Sequence, residues 1–345
     1  MKLRNIILFI IIALFTFNAC SDDDDNPTFP EPPVYNMTGF AKGADVSWLT
    51  EMEKAGKKFY NSDGNEKDCM ELLRDLGINS IRLRVWVNPQ NGWCNIDDML
   101  IKAWRANNLG MRIMVDFHYS DSWADPGQQN KPAAWESLNF EDLKEAVADH
   151  TTETLTALKN LGITPEWVQI GNETMNGMLW EDGKLLENLQ NYTELNNAGY
   201  DATKAVFPDV KVMIHLDRGH RNDMYRPRFD GLKQYGAKWD VIGMSLYPTK
   251  DNWQELTNSC YENMLDMVER YGSDVVICEV GMDWDQAEEA KLFLTELIAK
   301  TKSIPNNKGL GVFYWEPQSY GSWNGYTKGA FDNSGRPTVA MDAFK

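Results

Sequence analysis

Eight short apolar runs separated by longer amphipathic stretches constrain this chain more than any other feature of its sequence. The runs are GFAKGADVSW (39–48), SIRLRVW (80–86), MRIMVDFHY (111–119), WVQIGNE (167–173), KVMIHLD (211–217), VIGMSLYP (241–248), VVICEVGM (275–282) and GLGVFYWEP (309–317). They are β-branched or otherwise apolar and have the length of buried strands. Helical stretches fit between them at 65–77, 97–110, 139–162, 260–272 and 286–302. In the first of these Met70, Leu73 and Leu76 share a face, and Gly77, Gly110 and Gly162 are placed to end the first three. A helix–glycine–strand rhythm is the pattern of parallel βα units. Eight strands in one series favour a closed (β/α)₈ barrel over an open sheet. An open doubly wound sheet would also call for G-x-G-x-x-G after its first strand, and GADVSW is not that. A barrel of about 250 residues with insertions fits the 345 available, and no tandem repeat or second domain is visible.

The strands share an asymmetry: apolar first halves, then charge, amide or aromatic groups at their C-terminal ends. Asp45 ends the first, and Arg82, Arg84 and Trp86 run along the second. Asp116 and His118 close the third, Asn172 and Glu173 the fourth, His215 and Asp217 the fifth. Tyr247 closes the sixth, Glu279 the seventh, Trp315 and Glu316 the eighth. In a (β/α)₈ barrel these ends form the rim where sites are built, and unpaired ionisable groups in buried strands would otherwise be costly.

Glu173 and Glu279 are the leading candidates for a catalytic carboxylate pair. Glycoside cleavage needs one acid to protonate the leaving oxygen and a second carboxylate as nucleophile or as base. The competing reading is an ion pair at the rim. Asn172 offers a neutral amide to a sugar 2-hydroxyl. Arg82 and Arg84 lie two apart and share a face, so at least one should reach inward and hold a carboxylate ionised; the other fits a salt bridge below the site. His118 suits orienting a carboxylate or binding a hydroxyl, Tyr247 bonding to the nucleophile, and Trp315 forming the floor under a sugar ring. The chain has 13 Trp, enough to serve both a core and stacking platforms. Its net charge of −17 excludes a nucleic-acid binder and favours a neutral ligand.

The stretches GADVSW, GINSIRLRVWVNP, DFHYSDSWADPGQQNKPAAW, VQIGNE, MIHLD, SLYP, CEVGM and GLGVFYWEP span residues 43–317. With them the chain resembles glycoside hydrolase family 53, the endo-β-1,4-galactanases, in the clan of retaining (β/α)₈ enzymes with glutamates on strands four and seven. RVWVNP and DFHYSDSWADP carry the resemblance, since Asn-Glu alone points only to the wider clan. The resemblance implies Glu173 as acid/base and Glu279 as nucleophile, with Arg82, His118, Asn172, Tyr247 and Trp315 around them and Asp45 and Asp217 near the sugar subsites. It implies β-1,4-linked galactan or galacto-oligosaccharides as substrate. Mannan, xylan or glucan is the alternative polymer, and a non-catalytic surface glycan-binding protein the alternative class. Some bacterial members bind calcium with a long loop after strand eight. Here QSYGSWNGYTKGAFDNSGRP (318–337) is short, so no metal or other cofactor is expected, and distal stacking would fall to Tyr320, Trp323 or Tyr326.

The N-terminus reads as export machinery. Lys2 and Arg4 precede an apolar run at 6–17 that ends in FNAC, shorter than a membrane span of about 20 residues and of signal-peptide form. FNAC resembles a lipobox, with cleavage before Cys20 and lipidation of that thiol. The acidic SDDDD and the proline-rich segment after it read as a disordered tether. The expected organisation is a signal peptide at 1–19, a tether at 20–37 and the barrel at 38–345. An acidic run after a lipidated Cys resembles surface-export signals of Gram-negative bacteria, so a monomeric lipoprotein on the outer membrane and cell surface is expected, touching the membrane through Cys20 alone. Of the other cysteines, Cys278 lies in an apolar run and is expected to be buried. Cys69, Cys94 and Cys260 form no C-x-x-C pair, which excludes a zinc ribbon and leaves disulfides open.

Overall fold

The computed structural model describes residues 35–345 apart from Leu186. The signal peptide expected at 1–19, Cys20 and nearly all of the expected tether therefore lie outside the described residues. The strands are β1 (Ala41–Asp45), β2 (Ser80–Val85), β3 (Arg112–Phe117), β4 (Trp167–Ile170), β5 (Gly177–Met178), β6 (Gly183–Lys184), β7 (Lys211–Leu216), β8 (Val241–Leu246), β9 (Asp274–Val280) and β10 (Gly309–Trp315). All but β5 and β6 form one closed parallel barrel in the order β1-β10-β9-β8-β7-β4-β3-β2. β5 and β6 are a small antiparallel hairpin inserted after β4. Each apolar run read from the sequence coincides with one barrel strand, β9 starting one residue before its run at Asp274.

The helices are α1 (Leu49–Lys54), α2 (Cys69–Asp75), α3 (Ile96–Asn108), α4 (Phe140–Asn160), α5 (Leu189–Val206), α6 (Asn222–Gln234), α7 (Trp253–Tyr271) and α8 (Ala287–Lys302). Asp68, Asn95 and Asn139 cap α2, α3 and α4 by accepting from the amides of Glu71, Asp98 and Asp142, which satisfies donors that a helix start leaves free. Three helices were not visible as periodic stretches. α1 is short, α5 is mostly polar over its first half, and α6 carries Pro227 in its interior, where proline removes a helix hydrogen bond. α7 begins at Trp253, seven residues before the expected start.

Packing separates the barrel interior from the shell outside it. Alternate strand residues point inward, and Ala41, Met114, Trp167, Met213, Val241, Val276, Cys278 and Phe313 meet there as one apolar cluster. A larger cluster fills the space between strands and helices. On three strands the inward position two residues further on turns polar: Met114 is followed by Asp116, Trp167 by Gln169, Met213 by His215. The apolar plug thus forms a floor, and the polar groups sit above it at the strand ends. The folded body starts before the expected residue 38. Tyr35 donates to Asp75 at 2.6 Å and lies 4.2 Å from the Arg74 guanidinium, and Met37 packs against the core. Cys69, Cys94, Cys260 and Cys278 are buried free thiols.

Candidate active site

A cavity of about 830 Å³ opens at the C-terminal ends of the strands. Glu173 and Glu279 lie in it, and Trp48, Trp86, Trp123 and Trp315 wall it. Two local departures from regular strand aim the glutamates. β4 stops at Ile170; Gly171 follows at φ 77° and Glu173 at φ 47°. A Cβ at Gly171 would lie 2.6 Å from Thr174, so only glycine fits this turn. The turn lets the consecutive Asn172 and Glu173 both line the cavity. In β9 the pairing skips: Met244 faces Ile277, while Ser245 faces Glu279. The extra residue is a β-bulge. Strict alternation from Val276 would bring Cys278 and Val280 inside and turn Glu279 out. With the bulge, Cys278 stays in the apolar floor and Glu279 enters the cavity.

Oxygens of Glu173 and Glu279 and a ring nitrogen of His215 lie within 4.8 Å of one another. Arg82 spans the region below. Its Nη1 pairs with Asp45 and its Nη2 with Asp116 and Glu279, each at 2.8 Å. Glu279 also accepts from the Tyr247 hydroxyl at 3.0 Å. Gln169 ties the layer together. Its Nε2 donates to Asp116 at 2.5 Å, and its Oε1 accepts from Arg82 Nη2 at 3.1 Å. Asn172 Oδ1 accepts from Arg82 at 2.9 Å while its Nδ2 donates to the Ala124 carbonyl at 2.9 Å. Such interlocking leaves few alternative rotamers for the reacting groups.

Residues 41–344 match the model of glycosyl hydrolase family 53. The chain belongs to that family. It is 30% identical over 349 residues to an arabinogalactan endo-β-1,4-galactanase of Cellvibrio japonicus, covering 90% of this chain and 91% of the relative. An arabinogalactan endo-β-1,4-galactanase of Thermothelomyces thermophilus is 31% identical over 302 residues, covering 80% and 89%. Among solved structures, a fungal β-1,4-galactanase superposes with a TM-score of 0.82 at 28% identity, covering 89% of this chain and 99% of the other.

Within this family 53 barrel the two glutamates differ electrostatically. Burial pushes the Glu173 carboxyl well above the usual range and the negative charge of Glu279 pushes it further, against a hydrogen bond from Ser245. Burial also raises Glu279, to about 7, with Arg82 and the Tyr247 hydroxyl pulling it down and Asp116 and Asp45 pushing it up. Only Glu279 is in contact with a guanidinium, so Glu173 is the better proton holder and Glu279 the better carboxylate. His118 and His215 are both lowered by burial, which keeps them neutral. His118 Nδ1 accepts from Trp86 and from the Ala124 amide, at 3.3 and 3.1 Å, so its Nε2 carries the proton that faces Asp116.

The structure brings Glu173, Glu279, Asn172, His118, Tyr247 and Trp315 to the cavity wall, with Arg82 beneath. Asp45 and Asp217, expected near the sugar subsites, stand behind the cavity wall. Asp45 is fully buried, bound to Arg82 and to the Ser47 hydroxyl at 2.6 Å, and forms no part of the wall. Asp217 is buried outside the wall beside Arg218 and reaches Glu173 only through its charge. Arg84 turns from the carboxylates to Glu316, at 3.6 Å. In the loop after β10, Tyr326 reaches the cavity and packs on Trp315 with centroids 4.6 Å apart. Tyr320 turns to Phe59 and the Lys58 backbone, and Trp323 lies outside the wall.

Sequence reasoning assigned no role to Gln169, Ser245, Asp116 or His215, nor to the cavity aromatics Trp48 and Trp123. A signal existed for four of these: counting in twos from Trp167, Val241, Met114 and Met213 lands on Gln169, Ser245, Asp116 and His215. Trp48 and Trp123 sit in loops, where no such count applies. Glu173, His215 and Glu279 are the one group of metal-ligating type found among the described residues. Its donors are already engaged: Glu279 by Arg82 and Tyr247, and His215 Nε2 by Ser245 at 2.8 Å. A cation there would share Glu279 with a guanidinium, so the set suits proton transfer better than metal binding.

Proposed function

We propose that this chain is a retaining endo-β-1,4-galactanase that hydrolyses galactan and type I arabinogalactan by double displacement. The observation that carries this reading is the pair of glutamate oxygens within 4.8 Å of each other, with Arg82 on only one of the two. Retaining glycosidases hold their carboxyls about 5–5.5 Å apart, whereas inverting ones leave about 6.5–9.5 Å for a water. Ionised Glu279 attacks the anomeric carbon while Glu173 gives its proton to the leaving oxygen, forming a covalent galactosyl-enzyme. Glu173, now a carboxylate, takes a proton from water, which attacks the same carbon and releases Glu279.

In this scheme Arg82 and Tyr247 keep Glu279 charged before attack. Asn172 has one N–H beyond its bond to Ala124 to offer the 2-hydroxyl of the ring being cleaved, and His118 and Trp315 contact the same sugar. Arg84, Asp45 and Asp217 support the site without touching sugar. The reaction requires no metal or cofactor. The net charge of −17 suits a neutral polymer. The chain works as a monomeric lipoprotein held by Cys20 at the outer membrane, facing outward. The deciding measurement is hydrolysis of a panel of galactan, mannan, xylan and β-glucan, with the anomeric configuration of fresh products read by NMR. A ladder of β-configured galacto-oligosaccharides is expected. Cleavage of mannan with galactan untouched would overturn the substrate, and α-configured products the mechanism.

A further inference from the structure

Arg84 is as buried as Arg82, at 1% exposure, and the scheme above says only that it supports the site without touching sugar. Its surroundings are aromatic. The guanidinium carbon lies 4.3 Å from the ring centroid of Trp123, 5.0 Å from Trp86 and 5.8 Å from Trp48, all within the range at which a cation is attracted to an indole face. Its one carboxylate partner, Glu316, is distant at 3.6 Å, and its Nε has no hydrogen-bond partner among the described residues. Glu316 is committed to the same wall. Both its oxygens accept from the Trp48 backbone amide, at 3.1 and 3.2 Å, and Gln318 holds it at 2.6 Å. It also follows Trp315 directly in the chain. Trp315 in turn packs on Trp48 and Trp123, with centroids 5.0 and 5.9 Å away.

The four indoles come from four separate segments: Trp48 after β1, Trp86 after β2, Trp123 from the loop after β3, and Trp315 at the end of β10. The four strands are neighbours in the barrel, but of the four indole residues only Trp315 lies within the ladder itself, opposite Asp45. The indoles pack on one another, three of them also lie within 5.8 Å of the Arg84 guanidinium, and all four line the cavity while neither member of the Arg84–Glu316 pair does.

We propose that the buried Arg84–Glu316 pair is a positioning device that sets the four tryptophans as one sugar-stacking wall, so that it governs affinity for the galactosyl chain and not the chemical step. Neither residue is catalytic, for neither touches Glu173, Glu279 or the cavity. The proposal rests on the glycosidase reading.

The test is steady-state kinetics of Arg84→Met, Arg84→Lys and Glu316→Gln on galacto-oligosaccharides of increasing length, with pH profiles of kcat. Met keeps the stem and removes the charged plate, Lys keeps charge without a flat face, and Gln keeps the shape of Glu316. Arg84→Met is expected to raise KM for the longer chains about tenfold, the scale of cation–aromatic contacts. Its kcat should stay within about threefold, and its kcat–pH midpoints should not move. Arg84→Lys should recover part of the KM, and Glu316→Gln should show a smaller shift in the same direction. A fall in kcat at unchanged KM, or a displaced pH midpoint in any variant, would overturn the proposal. So would wild-type KM in all three. If Arg84→Met does not fold, the other two variants carry the same split. If wild type cleaves a polymer other than galactan, the substrate assignment fails by itself and the split is read on that polymer.

Discussion

Arg82 and Arg84 stand two residues apart on β2, on one face of one strand, and both are buried. Arg82 meets three carboxylates at 2.8 Å. Arg84 meets three indoles and one carboxylate at 3.6 Å. The side chain is the same and the solvent access is the same, so the difference lies in what neighbouring strands bring to each position. Asp45, Asp116 and Glu279 converge on the first, and the rim loops converge on the second. A guanidinium fits both because it is charged, planar and weakly hydrated. The same group therefore orders charge at one level of the barrel and shape at the next.

The largest blow to the Arg82 side is Glu279→Gln. Removing a catalytic nucleophile lowers kcat by roughly 10⁴- to 10⁶-fold, and single-turnover assays with an activated aryl galactoside should show no covalent intermediate. Next comes Arg82→Met. Losing one partner of a buried ion pair costs about 3–5 kcal/mol, and here three carboxylates lose theirs, so urea unfolding should show at least that loss. Arg84→Met should cost clearly less, because burial already pushes Glu316 up to about 8 and it can take up a proton when its partner goes. Equal losses in the two variants would erase the distinction between the arginines.

Tyr247→Phe is milder. It removes a hydrogen bond that favours the charged form of Glu279, so the pKa of that carboxyl rises. The acidic limb of kcat/KM should move to higher pH, with activity lost more at about pH 5 than at about pH 8. The smallest effect expected is on stability in Glu173→Gln. The folded-state pKa of Glu173 is raised above its unfolded value, so the folded protein holds a proton that the unfolded chain releases. Stability is then greatest below the unfolded value, about 4.3, and declines as pH rises toward the folded one. The Gln variant should melt above wild type at alkaline pH and gain nothing near pH 4, as differential scanning fluorimetry can check.

The barrel was legible because each strand carries two signals at once, an apolar start and a polar end. α5 and α6 were not, because tertiary packing stabilises them in spite of a mostly polar first half and an interior proline. The site was legible at strand ends and less so within strands. His118, Asn172 and Tyr247 lie where a strand stops, and a stop is visible in sequence. Gln169 and Ser245 lie inside apolar runs, where only parity marks them. Parity would also have misled at Glu279, since the bulge in β9 changes the count and no composition reports it. A strand end does not by itself say whether a group lines the cavity: Asp45 is drawn beneath it by Arg82, and Asp217 is turned aside beside Arg218.

That extra residue in β9 has a practical consequence for anyone exchanging parts between barrels. A segment transplanted from a donor with unbroken alternation would carry a glutamate at the same place in an alignment and a hydroxyl opposite it, yet present the acid to the helices outside. Removing one residue near Cys278 would do the same to the native chain. The unit that must be inherited intact is thus the offset together with the residue, and a chimera should be chosen by backbone register before side-chain identity.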